Sequence, residues 1–346
     1  YRLCLTDNTD NLVPIARPEN YDRNEYLSLV EDVLTGRNTD VRFKSITVEQ
    51  MEENRKRILS GGKTAIPGDT WGMSKVTNMV TLPNMKKDGN NQHLALISTD
   101  LPEENKPWPT ADWKWRDNFA QRLKDYTLGL LWFAQHDEAL PENFRKACLR
   151  YGLAADEYTD NGNFPRQVYV REGRRLEGTY FFTAKDVLPT KKGARPPIHS
   201  ESVTSSHYAL DSHAVHKRED GRVHLDGFFS YPTAVYTVPC GVMVPTTVEN
   251  LLFPVAVSGS HVGFSTLRME PCWMALGEAA GYAASVAVHK NFKVREIPVA
   301  EIQNRILNNG GTLVYFKDLT PEDKDFRQVQ ILALKGYFPD WKASLD

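Results

Sequence analysis

The sequence predicts an α/β fold of mixed α+β character, and three observations carry that prediction. Apolar residues from Trp115 to Phe133 recur at helical spacing. Residues 203–238 alternate polar with β-branched and aromatic side chains. The apolar run 250–257 leads into a helix crowded with Gly and Ala. With 346 residues, 41% hydrophobic and 25% charged, the chain has ordinary globular composition and length enough for two domains.

In chain order, residues 26–34 read as a short amphipathic helix closed by Gly36, followed by a strand at 41–46. Residues 60–112, rich in Gly, Pro, Asn and Asp, read as long connecting loops. A strong helix is predicted over 112–136, with Trp115, Phe119, Leu123, Tyr126, Leu130 and Phe133 on one face, and a second over 141–151. Val168 and Val170 suggest a short strand or an extended lead-in, and the stretch after Arg171 is compatible with a helix. The strands of 203–238 return toward a buried strand at 250–257. The tail predicts a helix at 299–307, a strand at 312–316 and a helix at 321–335.

From Arg268 onward Met269, Trp273, Leu276, Ala280, Ala283 and Ala287 mark one buried helix face. Gly277, Ala279, Ala280, Gly281, Ala283 and Ala284 crowd its middle, although each Gly there costs roughly 1 kcal/mol relative to Ala. Close approach by a partner would offset that cost. The helix start, with unpaired N–H groups and about half a positive charge, suits an anionic group. Tight packing of the helix on a sheet is the alternative.

A formal net charge of −2 gives no general surface for nucleic acid or anionic membrane, and no apolar run reaches the roughly 18 residues of a membrane span. Cys4, Cys148, Cys240 and Cys272 lie far apart with no Cys-x-x-Cys pair, so no disulfide framework or metal cluster is indicated. Five of the nine histidines, His199, His207, His213, His216 and His224, are concentrated in one stretch. His213 and His216, three apart, lack the i, i+4 spacing of a helical zinc pair and would face opposite sides of a strand, so no metal is expected. Asp211 and His213 would share one strand face.

Several motifs in fixed order extend over nearly the whole chain. They include Tyr1-Arg-Leu-Cys-Leu-Thr6, Pro18-Glu-Asn-Tyr-Asp22, Leu82-Pro-Asn with Lys87-Asp88 and Asn90-Asn91, Ser98-Thr-Asp100, and Asp125-Tyr-Thr-Leu-Gly-Leu-Leu131. They continue through Pro165-Arg-Gln-Val-Tyr-Val-Arg-Glu-Gly-Arg-Arg175, Asp211-Ser-His213, Asn250-Leu-Leu252, Ser260-His261 and Ser265-Thr-Leu-Arg-Met-Glu-Pro271. With these motifs the chain resembles a bacterial family of FAD-dependent oxidoreductases, many members of which carry the label xanthan lyase. The resemblance implies FAD as cofactor and a small-molecule substrate. It also implies a discontinuous, Rossmann-like FAD-binding domain of the glutathione-reductase type. Such proteins open with a Gly-x-Gly-x-x-Gly turn that cradles the pyrophosphate. That fingerprint is absent. The nearest glycine-rich stretch, Ser60-Gly-Gly-Lys-Thr64, has Arg57 where a phosphate loop needs Gly. The expectation is therefore a C-terminal portion of a longer enzyme. Residues 1–235 would form its substrate-binding region, 236–292 the C-terminal piece of the FAD domain, and 293–346 a helical extension.

The resemblance places Asp211, His213 and His261 at the reaction centre, where His213 or His261 would take a proton while flavin N5 takes a hydride. A free histidine titrates near about 6.5 and can accept a proton at neutral pH. Ser258, Ser260, His261, Arg268, Met269, Gly277 and Ala280 are expected to contact the cofactor. Lys87, Asp88, Asn90 and Asn91, which suit a polyhydroxylated ligand, and Arg171 and Arg175, which could fork onto a carboxylate or phosphate, are expected to meet the substrate. Surface ion pairs of the arginines to Glu172 or Glu177 are the alternative. Two other readings remain open: a polysaccharide lyase or carbohydrate-binding protein using Trp108, Trp113 and Trp115 as a stacking platform, and a non-catalytic fragment unable to hold FAD alone.

Overall fold

A computed structural model of the chain describes residues 1–37, 46–93, 95–189, 191, 194–217 and 227–338. Packing divides the chain into two units, Tyr1–Val170 with His213–Phe228, and Arg171–Ser212 with Phe229–Asp346. These units do not follow the three consecutive segments expected, because strands at 202–212 are hydrogen-bonded to strands at 229–239.

The first unit contains β1 (Leu3–Thr6), β2 (Leu12–Val13), α1 (Ser28–Thr35), α2 (Val48–Leu59), β3 (Thr77–Thr81), β4 (Lys86–Asn91), α3 (Trp113–His136), α4 (Glu142–Leu149) and β5 (Gly152–Ala154). Its antiparallel sheet has the order β2-β5-β1-β4-β3. Helix α3 starts where Asp112 Oδ1 accepts from Trp115 N at 2.8 Å, and it buries Phe119, Leu123, Tyr126, Leu130 and Phe133. Burial of each such side chain is worth roughly 1.5–3 kcal/mol. Helix α1 begins at Ser28 after a 3-10 turn and stops at Gly36, whose φ of 67° ends the helix without a Cβ clash.

The hairpin β3–β4 lies inside the stretch expected to be loops. β4 has the composition Lys-Lys-Asp-Gly-Asn-Asn, poor for strands in isolation, but it pairs with neighbours on both sides. Gly89 fits there because a Cβ would lie 3.1 Å from Leu3 Cβ. Helix α2 was not expected, although Thr47 and Gln50 form its capping box. The predicted strand at 41–46 lies, but for residue 46, outside the described residues. Residues 166–182 contain neither the expected strand nor the expected helix.

Behind α1 the first unit encloses an ion triad. Lys75, 1% exposed, donates to Asp69 Oδ1 at 2.7 Å and lies 3.5 Å from Asp32 Oδ1, and both carboxylates are equally sealed. Burial alone would lower the Lys75 ammonium's pKa. The two aspartates outweigh burial and raise it.

The second unit contains β6 (Ser202–Ser206), β7 (Leu210–Ser212), β8 (Phe229–Tyr231), β9 (Tyr236–Pro239), α5 (His261–Leu267), α6 (Glu270–Lys290), α7 (Val299–Asn308) and α8 (Phe326–Leu334). β6 pairs with β9 and β7 with β8, both antiparallel. The helices at 299–307 and, in its later part, 321–335 are present as α7 and α8. The strand at 312–316 is not: Gln330 Oε1 accepts from Leu313 N and Val314 N, and its Nε2 donates to Val314 O. One buried glutamine amide thus does the work of a strand ladder.

Residues 250–257 form no buried strand. Asn250 has φ 53°, and only scattered bonds, such as Phe253 N to Met243 O, tie the segment down. Leu251, Phe253 and Val255 are exposed at two-residue spacing. Helix α6 buries Cys272, Leu276, Ala279, Ala283 and Val286. On its other side Met274 is 74% and Val288 81% exposed, and nothing lies within 4 Å of a Cβ placed on Gly277 or Gly281. The close approach expected at these glycines is not supplied by the described residues. All four cysteines are free and buried, and burial pushes the Cys272 thiol up to about 11 and the Cys240 thiol up to about 12. No helix among the described residues is long and apolar enough to cross a membrane.

Candidate functional site

In the second unit three sequence motifs converge on α5. Ser260 caps this helix, its Oγ accepting from Gly263 N at 3.0 Å, and so presents His261 as the first helical residue. Gly263 is required because Phe182 O lies 2.5 Å from where its Cβ would be. Ahead of the helix expected from Arg268, α5 is therefore a helix of its own, seated on the backbone at 182–183.

The imidazole of His261 is engaged at both nitrogens. Nδ1 lies 2.6 Å from Glu172 Oε2 and Nε2 lies 2.7 Å from Ser212 Oγ. A carboxylate can only accept, so Nδ1 carries a proton; in the neutral ring Nε2 then bears the lone pair and receives the Ser212 hydroxyl. Glu172 also accepts from Arg175 Nη1 at 3.3 Å, while Arg175 Nε donates to Gly259 O at 3.0 Å and its guanidinium lies over the Phe264 ring. The arginine–glutamate pairing foreseen as a surface alternative is thus real, but its carboxylate also serves a histidine.

Beside this lies a second ion pair. Arg268 Nη2 donates to Asp211 O and Oδ2, both at 2.9 Å, and Tyr208 Oη donates to Asp211 Oδ2 at 3.1 Å. Asp211 N donates to Ser265 Oγ, fixing β7 to α5. Arg268, 5% exposed, is the C-cap of α5 and not the opening of a long helix. Helix α6 begins two residues later, with Met269 as a cap that makes no side-chain bond, then Glu270 and Pro271. Pro271 has no N–H and Glu270 is acidic, so the positive charge here belongs to the guanidinium and not to a helix end.

Of the residues expected at the site, Asp211, Ser260, His261, Arg175 and Arg268 are thus joined, with Ser258 one residue before the Gly259 carbonyl that Arg175 holds. Gly277 and Ala280 lie on α6, roughly 10 and 15 Å along its axis from its first residue Glu270. Arg171 belongs to the irregular start of the second unit. β7 ends at Ser212, so strand alternation does not reach His213, which belongs to the first unit and has Nδ1 3.3 Å from Asp100 Oδ2. His216 pairs with Glu103 at 2.8 Å, and His224 lies outside the described residues. On β4, Lys87 reaches Thr81 Oγ1, Asp88 pairs with Arg2, Asn90 Oδ1 accepts from Asn91 N, and Asn91 lines a cavity of the first unit. Trp108 and Trp115 pack on Phe119, and Arg116 lies over both Trp108 and the exposed Trp113, so two of the three tryptophans serve helix packing. Glu172 and Ser212 were missed, although each sits inside a motif already singled out.

A family model for FAD dependent oxidoreductases matches residues 4–306 of the chain. The chain belongs to that family. No curated protein and no solved structure matches it. The match makes the chain an oxidoreductase and FAD its cofactor. Two buried polar atoms in this part of the oxidoreductase, Ser258 Oγ and Arg268 Nε, have no hydrogen-bond partner among the described residues. Buried donors are normally matched. A hydroxyl and a guanidinium N–H are the donors that the carbonyl and nitrogen acceptors of a flavin ring edge require, so the residues present fit the cofactor.

Proposed function

We propose that this oxidoreductase oxidises a small hydroxylated substrate, with His261 as the proton acceptor and Arg268 and Ser258 as contacts to the cofactor. When bound, FAD supplies at N5 an acceptor for the hydride leaving a substrate C–H bond. His261 Nε2 takes the hydroxyl proton as that carbon becomes a carbonyl, and the Ser212 hydroxyl turns away to admit it. Glu172 holds the ring in the required tautomer and stabilises the imidazolium that results. The Arg268 guanidinium, oriented by Asp211, would hold negative charge on the cofactor edge. The observation that carries this reading is the double engagement of His261 by Glu172 and Ser212 in a chain of this family.

The same reading takes the second unit as part of a discontinuous Rossmann-like FAD-binding domain whose remaining strands and pyrophosphate loop come from further polypeptide. Two apolar surfaces left unpartnered by the described residues support it: the row Leu251, Phe253, Val255, and the α6 face bearing Met274, Gly277, Gly281 and Val288. The first unit would then hold the substrate-binding region.

The test is anaerobic. Sugars, polyols and hydroxy acids are screened for bleaching of the flavin band near about 450 nm, and the active compound is used on His261→Ala. Retained flavin with reduction slowed about 100-fold or more is expected; an unchanged rate would remove His261 from the mechanism. For the domain reading, FAD should bind far more tightly to a chain extended at its N-terminus, and equal affinity would overturn it.

A further inference from the structure

The first unit contains a cavity of about 400 Å³, within the range of small-molecule sites, that the flavin chemistry does not use. We propose that it is a binding site for a neutral polyhydroxylated ligand of hexopyranose size. One wall is aromatic: the rings of His93 and Phe228, both lining the cavity, lie parallel at 4.7 Å and 11°. A second wall is polar, with Asn91 and Gln92 at the end of β4 and the carboxylates of Glu25, Asp100 and Glu104.

Those carboxylates are already matched. Glu25 is held by Arg122, Glu104 by Lys217 at 2.9 Å and Arg122 at 3.3 Å, and Asp100 by His213 at 3.3 Å. Glu25 and Glu104, each paired with a cation, keep lone pairs to spare, so the wall accepts hydrogen bonds without needing a further cation. Between the walls stands Tyr126, 5% exposed, whose hydroxyl has no hydrogen-bond partner among the described residues and lies in the field of Glu25, Asp100 and Glu104. A phenol on a cavity wall that makes no hydrogen bond within the protein is available to donate to a ligand. Acceptors, amides, a donor and a ring face together are what a sugar needs, since each hydroxyl both donates and accepts and the C–H face of the ring stacks on aromatics.

The ligand class is the one proposed for the redox reaction, but binding here does not depend on the flavin reading. Saturation-transfer NMR on the ligand reads binding alone. The probes are D-glucose, D-galactose, D-mannose and myo-inositol, with D-glucuronate and tetramethylammonium as charged controls. At least one neutral probe is expected to receive saturation. Tyr126→Phe, which removes a hydroxyl no protein group uses, should weaken its affinity about 5-fold or more at unchanged Tm. Ala214→Trp, which fills the cavity from its lining, should abolish the signal. No transfer to any neutral probe, transfer unaffected by both variants, or stronger binding of either charged control would overturn the proposal.

Discussion

Each unit holds an ionic cluster, and the two differ in what their charges can reach. Lys75, Asp32 and Asp69 are closed off from solvent, and among the described residues the ammonium is paired with these two aspartates. Around α5, His261 is accessible, Glu172 is shared by an arginine and a histidine, and Arg268 keeps one buried N–H unmatched among the described residues. A sealed set of charges paired with one another can only hold elements together, here α1 to the turn that bears Lys75. An open or incompletely matched set has capacity left for a ligand or a proton. Charge alone does not mark a functional site; unspent hydrogen-bonding capacity does.

The largest expected effect tests the sealed side. Lys75→Met leaves two carboxylates buried without a cation and should cost roughly 3–5 kcal/mol, measured by urea unfolding, whereas His261→Ala should cost under about 1 kcal/mol. Equal losses would dissolve the distinction. The sign with pH follows from the raised Lys75 pKa. Its stabilisation is complete below the unfolded lysine value of about 10.4 and is lost as pH rises through the folded value. The wild type should therefore lose its advantage over Lys75→Met only in strong alkali, as followed by Tm.

The open side yields the next effect. If Glu172 serves His261 and does not merely anchor Arg175, Glu172→Gln should shift the pH dependence of flavin reduction, while Arg175→Lys, which keeps the charge, should not. An identical pH profile for Glu172→Gln would return Glu172 to a packing role. The effect should be smaller than that of His261→Ala, because the glutamine still accepts from Nδ1 and keeps the tautomer.

Much of the fold could be read from local pattern. Helix α3 follows from the spacing of Phe119, Tyr126 and Phe133 and the Asp112 cap, and α2 was readable from Thr47 and Gln50. What escaped depended on partners distant in sequence. β4 exists because β1 and β3 flank a sequence of turn-like residues. The segment at 312–316 stays irregular because Gln330 satisfies its peptides. Residues 250–257 carry the apolar content of a buried strand, yet alternate residues face outward. At the site the motifs were visible, but Glu172, Ser212 and His261 are brought together only by folding, and no spacing rule links them.

A third cluster is intermediate, and it sharpens the comparison with the smallest effect. Asp186 accepts from Tyr180 Oη at 2.5 Å, Thr183 N at 2.6 Å and Thr183 Oγ1 at 3.1 Å, and lies 3.0 Å from His199 Nε2. His199 Nδ1 is in turn 2.9 Å from Thr237 Oγ1. Burial would raise the Asp186 carboxyl, but the bonds from His199, Tyr180 and Thr183 outweigh it and hold it below the usual carboxylate range. A depressed carboxylate stabilises the fold above the unfolded value of about 3.9, and the contribution is lost as pH falls through the folded value. Asp186→Asn should therefore cost roughly 1–3 kcal/mol at pH 7, and its Tm should converge on that of the wild type as pH falls below about 4. Convergence together with an unchanged rate of flavin reduction would class this cluster with the sealed triad. A slowed reduction at unchanged Tm would class it with the open one, since only a set with capacity to spare can alter chemistry without altering stability.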